Sequence, residues 1–229
     1  IGLGGSGTVD GGTGMATAFG YRFLGAAGNA LPPGGGPLVD LASIVSPAFA
    51  DTRAARTDVI GITDVRTPMT GPGGAAATFG PQKGAGPDEV AILGRGLDRL
   101  ADRILADLGR DVARLPGSGA AGGLAGGCVA FLGSRLCLGS EWLLERVGFD
   151  EALSAADLVV TGEGAFDATS GLGKVVGEIV RRATVAEVPV VLACGRISGA
   201  LPTGIRAVEG GDAWLDASDV ARMVAEAAG

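Results

Sequence analysis

The sequence predicts an α/β protein, on three observations. Near-continuous apolar runs at Leu158–Thr161 and Val190–Cys194 bracket a helical stretch, Lys174–Ala186, the pattern of parallel strands covered on both faces. From Pro87 to Leu108 the residues Val90, Leu93, Leu97, Leu100, Ile104 and Leu108 recur at spacings of three and four, which predicts an amphipathic helix. Two short apolar segments, Ile1–Leu3 and Val59–Thr63, each run straight into a glycine-rich loop. With 229 residues the chain can bury a substantial core, in one large domain or two smaller ones.

In chain order, Ile1–Leu3 reads as the end of a strand, Gly4–Gly12 as a loop and Met15–Leu24 as a helix. A strand end at the first residue needs a partner upstream, so the expectation is a piece of a longer protein. The PPGGG of residues 32–36 is a turn, and Leu38–Val45 a short helical or irregular segment. The strand at Val59–Thr63 places Asp64 at its carboxyl end, before a long Gly/Pro loop. The run PGSGAAGG, from Pro116, leads into a helix expected to end about Leu138. Its small side chains suit close helix packing or close approach to a ligand. After the strand at 158–161, residues 162–173 read as a loop carrying Glu163 and Asp167, at the strand ends where α/β sheets bind ligands.

Composition excludes several classes of function. Eighteen basic and 25 acidic residues give a net charge of −7, which disfavours nucleic acid as a partner. No apolar run approaches the ~18 residues of a membrane span, and no signal-peptide pattern is visible, so the expected location is the cytoplasm, with no membrane partner. Cys128, Cys137 and Cys194 are odd in number and widely spaced, as core residues are. Histidine is absent, which removes Ser-His-Asp catalysis, His-ligated zinc and an imidazole base. Phosphoryl transfer rests mostly on positioning and charge neutralisation, and needs that group least.

The opening IGLGGSGTVDGG has the wrong spacing for a dinucleotide fingerprint, and no acidic ribose contact follows at residues 28–34. Gly173-Lys174 runs into Val175, so no Walker-type loop exists. Consecutive glycines can still turn backbone N–H groups toward an anion, with Ser6 and Thr8 as supplements; Asp10 either caps the following helix or holds Mg²⁺. In TGEGAFDATSGLGKV, Glu163 and Asp167 stand four apart before Lys174, a grouping that suits Mg²⁺ and phosphate and equally suits a structural loop.

Four ordered stretches, GGSGTVDGGTG, DVRTPMTGPGGAAATFGPQKGAG, PGSGAAGGL and ADLVVTGEGAFDATSGLGKV, together resemble the motifs of the type I glycerate kinases, the glycerate 2-kinase family. The resemblance spans roughly Ile1 to Lys174 and weakens after about Gly195. It implies ATP- and Mg²⁺-dependent phosphorylation of D-glycerate, with 2-phosphoglycerate as the favoured product, and leaves homo-oligomerisation open. It also implies a two-domain scaffold: a Gly-rich inserted α/β domain over 1–150 and the C-terminal half of a Rossmann-like parallel-sheet domain over 151–229, without the family's N-terminal segment. Carried over by position, it nominates Asp64, Asp167 and Lys174 as catalytic. Gly5, Ser6, Thr8, Gln82 and Lys83 become substrate or phosphate contacts, and Asp10 and Glu163 metal ligands. Gly7 stands where the family usually has Ala, Val9 and Thr67 where it tends to have Asn, and Thr169 where it has Gln. The last three exchanges remove amide groups that could orient a hydroxy acid, and leave open a non-catalytic remnant that binds a small anion.

Overall fold

The computed structural model describes residues 1–47, 57–166, 175–198, 201, 205–211 and 217–228. The chain divides into two compact units, Ile1–Cys137 and Leu138–Gly229. The boundary expected at 150 therefore differs from the observed division, and the short helices after Leu138 group with the second unit.

The first unit is built around one long helix. Helix α1 (Thr13–Ala18) leads into strand β1 (Arg22–Leu24), which pairs antiparallel with β2 (Ser43–Val45). A 3-10 helix at Gly36–Asp40 lies between those strands. The helix expected over Met15–Leu24 is thus corrected: it ends at Ala18, and Arg22, Phe23 and Leu24 alternate exposed, buried and half-buried as a strand does. Strand β3 (Ile60–Thr63) pairs with β4 (Arg135–Leu138). Ile1–Leu3 run parallel to β3: Leu3 N–H donates to Ile62 O at 2.8 Å and Ile62 N–H to Ile1 O at 2.8 Å.

Helix α2 (Ala75–Phe79) and a 3-10 turn at Pro81–Lys83 precede α3 (Pro87–Leu108), which has the extent its periodicity predicted. Pro87 starts α3, and the Glu89 carboxylate reaches back to accept the Gly86 N–H at 2.8 Å, half of a capping box, since Gly86 has no side chain to return the bond. Leu97, Leu100 and Ile104 on its inner face are almost fully buried among Leu38, Leu41, Phe23 and Phe131. Each such side chain contributes roughly 1.5–3 kcal/mol relative to exposure. Polar ties fix the hairpin to the helix: Arg99 Nε donates to Leu41 O at 2.6 Å, and Asp107 accepts the Ile44 N–H at 2.7 Å. Helix α4 (Leu124–Leu132) stops earlier than the expected Leu138, because Gly133 takes a left-handed φ of 68° and releases the chain into β4.

The second unit is a small wound sheet. Strands β5 (Val159–Phe166), β6 (Val190–Ile197) and β7 (Ile205–Glu209) lie parallel in the order β5-β6-β7. Helix α7 (Val175–Val185) connects β5 to β6, and α8 (Ala217–Ala228) follows β7. Central β6 buries Val190, Val191, Leu192 and Cys194, so side chains on both of its faces are covered; this is why it reads as an unbroken apolar run. Helices α5 (Gly139–Arg146) and α6 (Phe149–Leu153) precede the sheet. An ion-pair chain ties α6 to α7. Arg182 reaches Asp150 at 2.7 Å and Glu178 at 2.8 Å, and Arg181 also holds Glu178. The cysteines are free; Cys128 and Cys194 are buried and Cys137 is half-buried. Among the described residues, no helix is long and apolar enough to cross a membrane.

Candidate active site

Five of the nominated residues line one cavity of about 490 Å³ in the first unit: Gly5, Ser6, Asp64, Gln82 and Lys83, with Gly4 beside them. Leu3, Val65 and Phe79 supply apolar wall, and Ala120 and Ala121 come from the PGSGAAGG run. Chain pairing explains the meeting. Because Ile1–Leu3 lie along β3, the first glycine loop leaves the sheet beside Asp64, which follows the last residue of the same strand. The 3-10 turn brings Gln82 and Lys83 to the same cavity, Lys83 directly beside the loop.

Lys83 fastens that loop. Its ammonium donates to Ser6 Oγ at 2.8 Å and to Thr8 O at 2.7 Å, across more than seventy residues of chain. An ammonium has three N–H donors, and these two bonds leave one for a ligand. Burial pushes its pKa below the ordinary lysine value, and the Asp10 carboxylate opposes that shift. From Gly4 to Val9 no backbone N–H donates to a backbone carbonyl among the described residues. Of these, Gly4, Gly5 and Ser6 line the cavity, so unpaired donors lie at its wall beside a cation, an arrangement suited to anionic oxygen.

Asp10 bonds the backbone where the chain enters α1. Its Oδ1 accepts the Gly12 N–H at 3.1 Å and its Oδ2 the Gly14 N–H at 3.3 Å, so its oxygens sit on the first turn of α1. The amino end of α1 is therefore occupied by a side chain, and anion binding rests on the loop and Lys83. The Thr8 hydroxyl lies 3.5 Å from Asp10 Oδ1, while the Thr8 carbonyl serves Lys83; neither Thr8 nor Asp10 lines the cavity. Asp64 is exposed, and its carboxylate makes no hydrogen bond or ion pair among the described residues.

Sequence reasoning passed over Gly122. It holds a φ of 72°, its carbonyl accepts the Gly11 N–H at 3.1 Å, and a Cβ there would overlap Thr8 O and come 3.0 Å from Lys83 Nζ. Only glycine lets this backbone lie directly under the clasp between loop and lysine. The signal was present in the glycine pair of PGSGAAGG, which equally fits helix packing.

Glu163 lies on strand β5 rather than in the expected loop. It is in register with Cys194, and Cys194 with Glu209. Burial raises the Cys194 pKa, and the neighbouring Glu163 and Glu209 carboxylates add to the rise while the Glu163 N–H opposes it. Glu163 Oε1 is buried and has no hydrogen-bond partner among the described residues, a costly state for a carboxylate without a cation or donor. Asp167 and Lys174 lie outside the described residues, as does Thr169. Among the described residues no three Cys, Asp or Glu side chains are grouped so as to hold a metal ion. Mg²⁺ does not require such a cage, since it keeps several waters and binds through one or two carboxylates plus substrate phosphates. In the first unit the free Asp64 carboxylate fits that mode, and Asp10, both of whose oxygens accept backbone N–H groups, fits it less well; in the second unit, taken by itself, the orphaned Glu163 oxygen is open to a cation or a donor.

Two departures from the family pattern fall away from the cavity. Val9 is buried in the main core cluster. Thr67 accepts the Gly119 N–H through its carbonyl at 2.9 Å and does not line the cavity.

The profile of the glycerate kinase family matches residues 1–225. A glycerate kinase of Halalkalibacterium halodurans is 40% identical over 208 residues, which cover 91% of this chain and 53% of that protein. A glycerate kinase of Bacillus subtilis is 41% identical over 198 residues, 86% of this chain and 52% of that one. The glycerate 2-kinase of Escherichia coli K12 is 40% identical over 175 residues, 76% and 46% of the two chains. Among solved structures, a Salmonella typhimurium LT2 chain assigned as a glycerate kinase 2 superposes with a TM-score of 0.72 at 40% identity, over 90% of this chain and 53% of that one. The chain thus spans about half the length of the relatives it matches.

Proposed function

The chain belongs to the glycerate kinase family, and on that premise we propose that the protein transfers the γ-phosphoryl group of ATP to a hydroxyl of D-glycerate. The observation that carries this reading is the Lys83 clasp: one ammonium ties down a loop of unpaired N–H donors and opens onto the same cavity as a free carboxylate, Asp64. Phosphoryl transfer needs these groups and little else.

In this reading Asp64 accepts the proton of the attacking hydroxyl as the oxygen–phosphorus bond forms. Gly4, Gly5 and Ser6 hold phosphate oxygens through their N–H groups, and Lys83 neutralises charge as the bond to the β-phosphate oxygen breaks. Gln82 offers an amide to the hydroxy acid. Bound Mg²⁺ would supply charge neutralisation to the phosphates, with Asp64 as the carboxylate at the cavity suited to it; Glu163 remains a metal-ligand candidate on family position and on its own unpartnered oxygen. Asp10 holds the loop's shape through its bonds to the backbone. Asp167 and Lys174 remain candidates on family position alone. Transfer to the 2-hydroxyl is favoured by likeness to a relative named for that position, and the cytoplasm, which supplies ATP, is the proposed location. The parallel sheet of the second unit supports its reading as part of a Rossmann-like domain. The remnant alternative loses ground, because Val9 and Thr67 do not line the cavity.

An ATP-dependent assay with D-glycerate, following ADP release, tests the proposal. Asp64→Asn is expected to lower kcat about 10²–10⁴-fold with little change in the glycerate KM. Unchanged turnover in that variant would remove Asp64 as the base, and absence of glycerate-dependent ADP release from the unaltered protein would remove the activity.

A further inference from the structure

Two further cavities continue from the candidate site along α3. Lys83 lines both the 490 Å³ cavity and a second of about 390 Å³, and the second shares Gly36 and Ile92 with a third of about 810 Å³. All three lie in the first unit and adjoin at these shared residues, in the line of a trough. The second and third each fall within the ~300–1,000 Å³ typical of small-molecule sites. Their chemistry changes along the way. At the Lys83 end are the ammonium and the loop N–H donors. Past Lys83 the floor is Gly84 and Ala85, which leave space, beside the Glu89 carboxylate. Beyond that Ile92, Leu93, Leu31 and Pro32 supply apolar wall, and the third cavity is also lined by the exposed Asn29 amide and the Asp40 carboxylate, which like Glu89 would repel a phosphate there.

We propose that this trough binds the nucleoside end of the phosphate donor, a purine nucleoside triphosphate, in one direction only. Its phosphates lie at Lys83, its ribose over Gly84 and Ala85, and its base against Ile92. The inference rests on the kinase reading and adds to it the place of the donor. Charge fixes the order. Glu89 would repel a phosphate, whereas its Oε2 already accepts the Gly86 N–H and its Oε1 is left to accept a ribose hydroxyl. Ile92 is 37% exposed, an apolar side chain on the outer side of α3 that borders both cavities and offers a flat base an apolar contact. The Asn29 amide carries both a donor and an acceptor, as reading a purine edge requires. The trough beyond Lys83 holds no second cation, so it does not suit a second anionic group.

The test is binding of two probes, ATP and inorganic tripolyphosphate, to the unaltered chain and to Ile92→Gln, Glu89→Gln and Lys83→Ala, with circular dichroism to confirm that each variant folds. Gln at 89 keeps the side-chain bond to the helix start. The expected result is that ATP binds at least 10-fold tighter than tripolyphosphate, that Ile92→Gln removes most of that advantage, and that neither Ile92→Gln nor Glu89→Gln weakens tripolyphosphate binding. Glu89→Gln should weaken ATP about 3- to 10-fold and leave the 2′,3′-dideoxy analogue unaffected. If ATP and tripolyphosphate bind alike, or if the Ile92 and Glu89 variants bind ATP as the unaltered chain does, the trough is not the nucleoside site, while the phosphate site at Lys83 stands. If tripolyphosphate does not bind, or binds Lys83→Ala equally well, the phosphate site itself fails and the trough proposal falls with it.

Discussion

The two units use opposite means to put chemistry at a strand end. In the first, the candidate site is made of backbone: a glycine loop with unpaired N–H groups, laid over Gly122 and held by one lysine. In the second, a parallel sheet sets side chains in register, so that Glu163, Cys194 and Glu209 stand in one row across three strands. A backbone site is sensitive to any added carbon and to the loss of its clasp. A site set by register depends on the core that holds the strands in place.

The largest effect expected from breaking this contrast is on catalysis. Lys83→Ala removes both the clasp and the cation, and should lower kcat/KM about 10²–10³-fold, the loss seen when one preorganised charge-stabilising group is deleted. Lys83→Arg should recover little, because a planar guanidinium does not reproduce the bonds of an ammonium to Ser6 Oγ and Thr8 O. Steady-state kinetics of both variants make the check. Since the Lys83 pKa is lowered, and phosphate binding needs the ammonium, activity should fall with rising pH below the ordinary lysine value of 10.5.

Next in size is the second unit's core. Leu192→Ala should destabilise that unit by about 2–5 kcal/mol in denaturant melts, because Leu192 is fully buried on the central strand. A glycine pair sharpens the comparison. Gly122→Ala should cost about 1–3 kcal/mol from its left-handed backbone and its overlap with Thr8 O, and should lower activity as well. Gly164→Ala, on β5, meets nothing within 4 Å and should stay within about 0.5 kcal/mol. Equal effects at the two glycines would end the distinction between the units.

The smallest effect is electrostatic. Glu178 has its pKa lowered first by the hydrogen bond from Arg181 and then by Arg182, so its folded value lies below 4.5. The stability it gives is complete above the unfolded value and is lost as pH falls through the folded one. Thermal melts should show a drop below about pH 4.5 that is reduced in Glu178→Gln.

How much of this was legible depended on whether a residue's role is written in spacing. Helix α3 was readable to its ends because its apolar face recurs over many turns, and Asp64 because a β-branched run stops just before it. Strand β1 was read as helix, since three residues are too few for a period of two to stand out from one of 3.6. Glu163 was placed in a loop because Gly162 and Gly164 flank it; on β5 those glycines occupy exposed strand positions. Strand β7 and helix α8 lie past the point where the family motifs end; β7 is too short to show a period, and α8 was passed over although its apolar residues recur at helical spacing. The Lys83 clasp joins residues more than seventy apart, a pairing no local pattern encodes.

The most direct measurement is the ³¹P NMR spectrum of the protein incubated with ATP, Mg²⁺ and D-glycerate, recorded for the unaltered protein and for Lys83→Ala. The account predicts a phosphomonoester signal coupled to the proton on carbon 2, growing as ADP appears and nearly abolished in the variant. A monoester that forms equally fast without the Lys83 ammonium, or none at all from the unaltered protein, would contradict it.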